Sequence, residues 1–147
     1  MMFKSFCRAL LLVIVPLTVS GTVQADWELS NEESTLSFVT IKADNVAEVH
    51  TFDRIAGSLS EEGALQVVIE LISVNTLIPI RNERMQNLLF ETGMFPQATV
   101  TGNIDMTMLA SLAPGSSTAL TAQFNLNLHA QSNILPAELT VTRLADG

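Results

Sequence analysis

The chain is 147 residues long, 48% hydrophobic and 15% charged, with a net charge of −8 at pH 7. That length bounds it to one domain. The acidic balance excludes a phosphate-binding footprint of the kind nucleic acids need, and it argues against docking on anionic headgroups.

The first element is an export signal. Lys4 and Arg8 form a positive n-region, residues 9–17 are an apolar run interrupted by Pro16, and Val23, Gln24 and Ala25 end in a small residue at a peptidase-type site. The run is far shorter than the roughly 20 residues a bilayer span needs. Cleavage after Ala25 is expected, leaving a periplasmic chain that starts at Asp26. Removing Lys4 and Arg8 from the seven basic residues leaves five against fifteen acidic ones, so the mature charge is −10. The single cysteine, Cys7, is lost with the signal, so no disulfide supports the fold.

From residue 26 onward the dominant pattern has period two, which marks strands with one buried and one wet face. Strands are expected at 35–42, at 48–60 with a break at Asp53 and Arg54, and at 64–76, where Leu65, Val67, Ile69 and Leu71 share a face. Residues 98–108 alternate through Ala98, Val100, Ile104, Met106 and Met108, with Gly102 on the apolar side as a place for a bend or bulge. Residues 120–129 alternate without interruption: Leu120, Ala122, Phe124, Leu126 and Leu128 face one way. A last strand is expected at 137–144. Turn residues separate these runs at 31–33, at Asp44 and Asn45, at 61–63 and at 114–117. Residues 81–90 break the pattern: Met85, Leu88 and Leu89 recur at helical spacing among good helix formers. Six or seven strands with one short helix make an antiparallel barrel or sandwich.

Catalytic and metal chemistry leave little trace. His50 and His129 are far apart in sequence, each read as a surface or strand-end residue, and no metal site or cofactor is expected. No serine sits in a nucleophile elbow and no glycine loop would cradle phosphate. The carboxylate pairs Glu32 with Glu33 and Glu61 with Glu62 fall in turns, where solvation provides nothing to split them into an acid and a base. What remains is aliphatic surface, which either packs as a filled core or lines a lumen for a long hydrocarbon.

Residues 67–101 carry a recognisable order of features: a strand ending in Ser73, Val74, Asn75 and Thr76, an Arg81-Asn82 step, a short helix, a Phe95-Pro96 turn, and a strand starting Ala98, Thr99 and Val100. Trp27, Leu36, Phe38, Gly57 and the segment Leu126, Asn127, Leu128 and His129 add to it. Together these resemble the YceI-like family of periplasmic, lipocalin-like barrels. Arg84 and Ala130 depart from the family pattern, which commonly has His and Gly there. The chain also ends earlier than family members do, so an all-β antiparallel barrel that is incomplete at the C-terminus is expected, with two open edges available for self-association.

The resemblance implies a non-enzymatic binding protein that holds a polyisoprenoid or an isoprenoid quinone. Phe38, Ile69, Leu71, Ile104, Phe124 and Leu126 are the expected cavity lining. Arg81 and Arg84 either order the helical loop or meet a ligand head at the mouth. The competing reading is a module with a filled core, accessory to a membrane respiratory complex.

Overall fold

The computed structural model describes residues 27–43 and 45–145. The expected export signal and the turn position Asp44 lie outside the described residues. Among these residues the order of elements is β1 (Trp27–Glu28), β2 (Leu36–Lys42), β3 (Val46–Phe52), β4 (Ile55–Leu59), β5 (Ala64–Glu70), a 3-10 turn (Leu71–Ser73) and β6 (Val74–Asn75). There follow α1 (Pro79–Arg84), a π-helical stretch (Met85–Leu89), β7 (Gln97–Asn103), α2 (Met106–Ala110), β8 (Ser117–Leu128) and β9 (Gln131–Thr142). The strands form a six-stranded antiparallel sheet in the order β1-β4-β5-β7-β8-β9 and a three-stranded sheet in the order β2-β3-β6.

The chain crosses between sheets where the sequence pattern breaks. At Asp53 and Arg54 it leaves β3 of the small sheet for β4 of the large one, and Ser73 clamps the corner. Its carbonyl accepts from Asp53 N at 3.1 Å, while its hydroxyl accepts from Arg54 N at 3.0 Å and donates to Glu70 O at 2.6 Å. Asn31 locks the other side: its Oδ1 accepts from Ile55 N at 2.7 Å. A buried serine is stable only when so satisfied, and here its bonds fix the angle between the two sheets.

Four local expectations are corrected. The expected strand over 64–76 ends at Glu70, where a 3-10 turn carries the chain over to β6 of the small sheet. The expected strand over 98–108 ends at Asn103, and Met106 and Met108 lie in α2. Asp105 decides this: its carboxylate accepts from Thr107 N at 2.9 Å and from the Thr107 hydroxyl at 2.6 Å, an N-cap that outweighs the alternating pattern. Gly102 introduces no bulge, since β5 and β7 pair in continuous register from Ala64↔Asn103 to Glu70↔Gln97. It makes room instead: a Cβ there would come within 2.4 Å of Phe124 Cδ1. Finally, β9 begins at Gln131, so it runs through Pro136, which an edge strand tolerates because one side needs no N–H.

The helix is present and reaches a little further back than expected. Pro79 sits in its first turn, where a missing N–H costs nothing. The π-helical widening follows at Met85, where Phe90 N bonds to Met85 O at 2.8 Å, and it turns the Phe90 ring into the core. That core joins Ile69, Leu71, Val74, Phe90 and Ala98, with Leu36, Phe38, Phe52, Val100, Leu126 and Leu128 packed against it. Both sheets contribute, so they face each other across one apolar interior. No hydrogen-bonded ladder joins the two sheets among the described residues, and they remain open rather than closing into a barrel.

Candidate ligand-binding cavity

The interior is not filled. Between the two sheets lies a cavity of about 650 Å³, a size suited to a small-molecule ligand. The small sheet supplies Leu36, Phe38, Thr40 and Phe52. The large sheet and the 3-10 turn supply Ile69, Leu71, Ala98, Val100, Leu126, Leu128 and Leu135. Leu89 and Phe90 close one side from the helical segment. Period two explains the selection on β8: Leu126 and Leu128 face the interior while Asn125 and Asn127 are exposed.

Rings order one wall. Phe38 stacks on Phe52 at 5.2 Å between centroids, and Phe52 meets Phe90 at 5.7 Å. Such offset pairs fix ring orientation beyond their area burial. The mouth is less covered, with Leu89 58% and Leu135 41% exposed. His129 stands at the cavity edge on the β8–β9 turn, its ring 4.1 Å from Phe95. Its Nε2 lies 2.6 Å from Glu91 Oε2 but off the N–H axis, so this is a close polar contact rather than a linear hydrogen bond.

Of the residues expected at a ligand, the structure brings Phe38, Ile69, Leu71 and Leu126 together around this cavity. Ile104 and Phe124 are not among the residues that line it. Phe124 is buried beneath Gly102, and Ile104 packs at the β4–β5 hairpin, where its N–H bonds to Gly63 O at 2.9 Å. Ile104 and Ala122 border a separate depression of about 700 Å³ that also carries Glu62 and Asp105. Those carboxylates suit water rather than an apolar chain.

Arg81 lies outside the cavity lining and bonds within the fold. Nη1 donates to Glu48 Oε2 at 2.6 Å and Nη2 to Thr76 O at 3.2 Å, tying α1 to the small sheet. This bond holds the Glu48 carboxyl below its ordinary pKa. Arg84 is exposed. Sequence patterning missed Thr40 and His50. His50, expected at the surface or at a strand end, lies near the end of β3 but is 3% exposed, and its Nε2 lies 2.9 Å from Thr40 Oγ1. The signal was there in the register: Glu48, His50 and Phe52 alternate on β3 as Phe38 and Thr40 do on β2. Polar residues on an inward face give no period-two contrast, so the pattern passed over them.

Facing antiparallel sheets around an apolar, partly open cavity define a lipocalin-like β-protein. A sequence model of the YceI-like domain matches residues 27–147, and the chain belongs to that family. Among solved structures it is similar to a polyisoprenoid-binding domain from Saccharophagus degradans, implicated in plant cell wall breakdown. The two are 41% identical with a TM-score of 0.71 over 75% of this chain and 63% of that one. The chain thus spans less than two thirds of that domain. Burkholderia cenocepacia BcnA shares the fold, with a TM-score of 0.62 at 17% identity over 78% of this chain and 71% of that one. No curated protein matches.

Proposed function

We propose that the protein binds a long apolar isoprenoid or related lipid in the cavity between its sheets, as a carrier or sequestering protein without catalysis, in the periplasm after cleavage at Ala25. The carrying observation is the cavity itself: aliphatic and phenyl side chains from both sheets line about 650 Å³. A chain of methylene and methyl groups gains roughly 0.8 kcal/mol for each buried CH₂, so it binds such a wall without a dense polar motif. The similarity to a polyisoprenoid-binding domain supports the ligand class. An isoprenoid quinone is one such ligand.

Native mass spectrometry of protein purified from the periplasm tests both parts. The expected spectrum shows a polypeptide starting at Asp26 that carries a non-covalent mass released by organic solvent. A polypeptide that never carries or takes up isoprenoid would refute the binding reading, and a full-length membrane-bound species would refute export.

A further inference from the structure

The cavity wall changes character along the small sheet. Leu36 pairs with Phe52, Phe38 with His50, and Thr40 with Glu48, all on the inward face. The inward face of this sheet therefore runs from phenyl rings to a hydroxyl and an imidazole, and beyond the cavity lining it reaches the Glu48–Arg81 ion pair. Thr40 itself lines the cavity. His50 lies directly beside it, edge-on to the Phe38 ring at 5.3 Å.

His50 is more than nine-tenths buried, and its Nδ1 is enclosed with no hydrogen-bond partner. Neutral imidazole offers one donor and one acceptor, and a hydroxyl offers a donor and two acceptor positions. Their single mutual bond leaves hydrogen-bonding capacity unused in an apolar surround, an arrangement that a purely structural pair rarely keeps. The other polar residues at the cavity, Ser37 and His129, are exposed or at its edge.

We propose that Thr40, positioned by His50, is the seat of the ligand's polar head, and that this head is an uncharged hydrogen-bonding group such as a hydroxyl, carbonyl or amide. The proposal rests on the cavity reading above. The head meets the Thr40 hydroxyl while the chain lies along Phe38, Leu71 and Leu126. Glu48 lies across the ladder from Thr40, so an anionic head would meet its carboxylate. Both terminal nitrogens of Arg81 are engaged, leaving only its buried Nε–H without a partner.

Equilibrium binding of three probes of equal chain length decides the matter: a polyprenol, the corresponding polyprene hydrocarbon, and the polyprenyl phosphate. The wild-type protein is expected to bind the alcohol about tenfold more tightly than either other probe, the size of effect one buried hydrogen bond produces. Thr40→Val should reduce alcohol binding to the hydrocarbon's level and leave hydrocarbon binding unchanged, while Thr40→Ser should keep the preference. Equal wild-type binding of alcohol and hydrocarbon, preference for the phosphate, or a preference that survives Thr40→Val would each overturn the head-group site while leaving the cavity intact. Failure of all three probes to bind would instead overturn the cavity reading, and this proposal with it. If Thr40→Val does not fold, the wild-type ranking of the probes decides alone.

Discussion

Phe124 and Leu126 are two residues apart on one face of β8 and meet different surroundings. Phe124 fills the space Gly102 leaves open, whereas Leu126 lines the cavity. Phe124→Ala is therefore expected to destabilise the fold by about 3–5 kcal/mol, as large-to-small core changes do, with ligand content unchanged in the fraction that remains folded. Leu126→Asp places a carboxylate beside the proposed chain, where an unpaired charge is expensive, and should abolish ligand retention in protein that stays folded by circular dichroism. Unaltered lipid content in folded Leu126→Asp would contradict the site. A second residue-scale effect lies at the β8–β9 turn, where His129 and Ala130 both take left-handed backbone, with φ of 56° and 57°. This two-residue geometry suits Asn-Gly rather than His-Ala. Left-handed backbone costs a residue with a Cβ roughly 1–2 kcal/mol, partly offset by glycine's greater freedom when unfolded. Ala130→Gly is thus expected to stabilise the protein by about 0.5–1 kcal/mol in denaturant melts.

The segment connecting β6 to β7 is held by the residues that make it recognisable in the sequence. Thr76 N bonds to Asn82 Oδ1 at 2.8 Å, Gln86 Nε2 to Ile72 O at 2.9 Å, and Arg81 reaches across to Glu48. Ser73, Thr76, Arg81 and Asn82 thus secure the segment beside the cavity, and none of them is among the residues that line it. The Glu48 link gives this element a pH dependence. Arg81, bonded to the carboxylate, lowers the Glu48 pKa in the folded state, with smaller contributions from His50 and Lys42. A depressed carboxylate stabilises the fold above its unfolded pKa, and that contribution disappears as pH falls through the folded value. Acidification from neutral pH through the carboxylate range should therefore lower the Tm of the wild type more than that of Glu48→Gln. Parallel Tm curves for the two proteins would show that the pair contributes nothing, which is common for ion pairs as exposed as this one.

At the scale of the whole molecule, the two sheets share a core and keep separate edges. β9 presents 12 residues along one side, and among the described residues only its β8 side is paired. On the outward face of the small sheet, Val39, Ile41 and Val49 are each more than half exposed. Unpaired strand edges template association, and contiguous apolar surface favours it. The chain of residues 26–147 is expected to elute from size-exclusion chromatography as a concentration-dependent oligomer. A monomer at all concentrations with a cooperative, high-temperature melt would show that the edges and the β2–β3 face need no cover.

Local pattern by itself was enough to place β8, the inward set on β5, the break at Asp53 and Arg54, and the helix between β6 and β7, because each depends on neighbours within a few residues. It also supplied Phe38, Ile69 and Leu126, whose inward direction follows from strand geometry alone, and Leu71, which the 3-10 turn after β5 keeps on the same face. Tertiary structure decided the rest. Whether an inward residue lines the cavity or fills the core depends on what stands opposite, and for Phe124 that is a glycine on another strand. The end of β7 was decided by the Asp105 cap, and the path of β9 through Pro136 by its place at a sheet edge. His50 is buried because Phe38 and Thr40 stand against it from the paired strand. Period two reports which way a side chain points, and only the paired strands and the facing sheet together determine what it meets there.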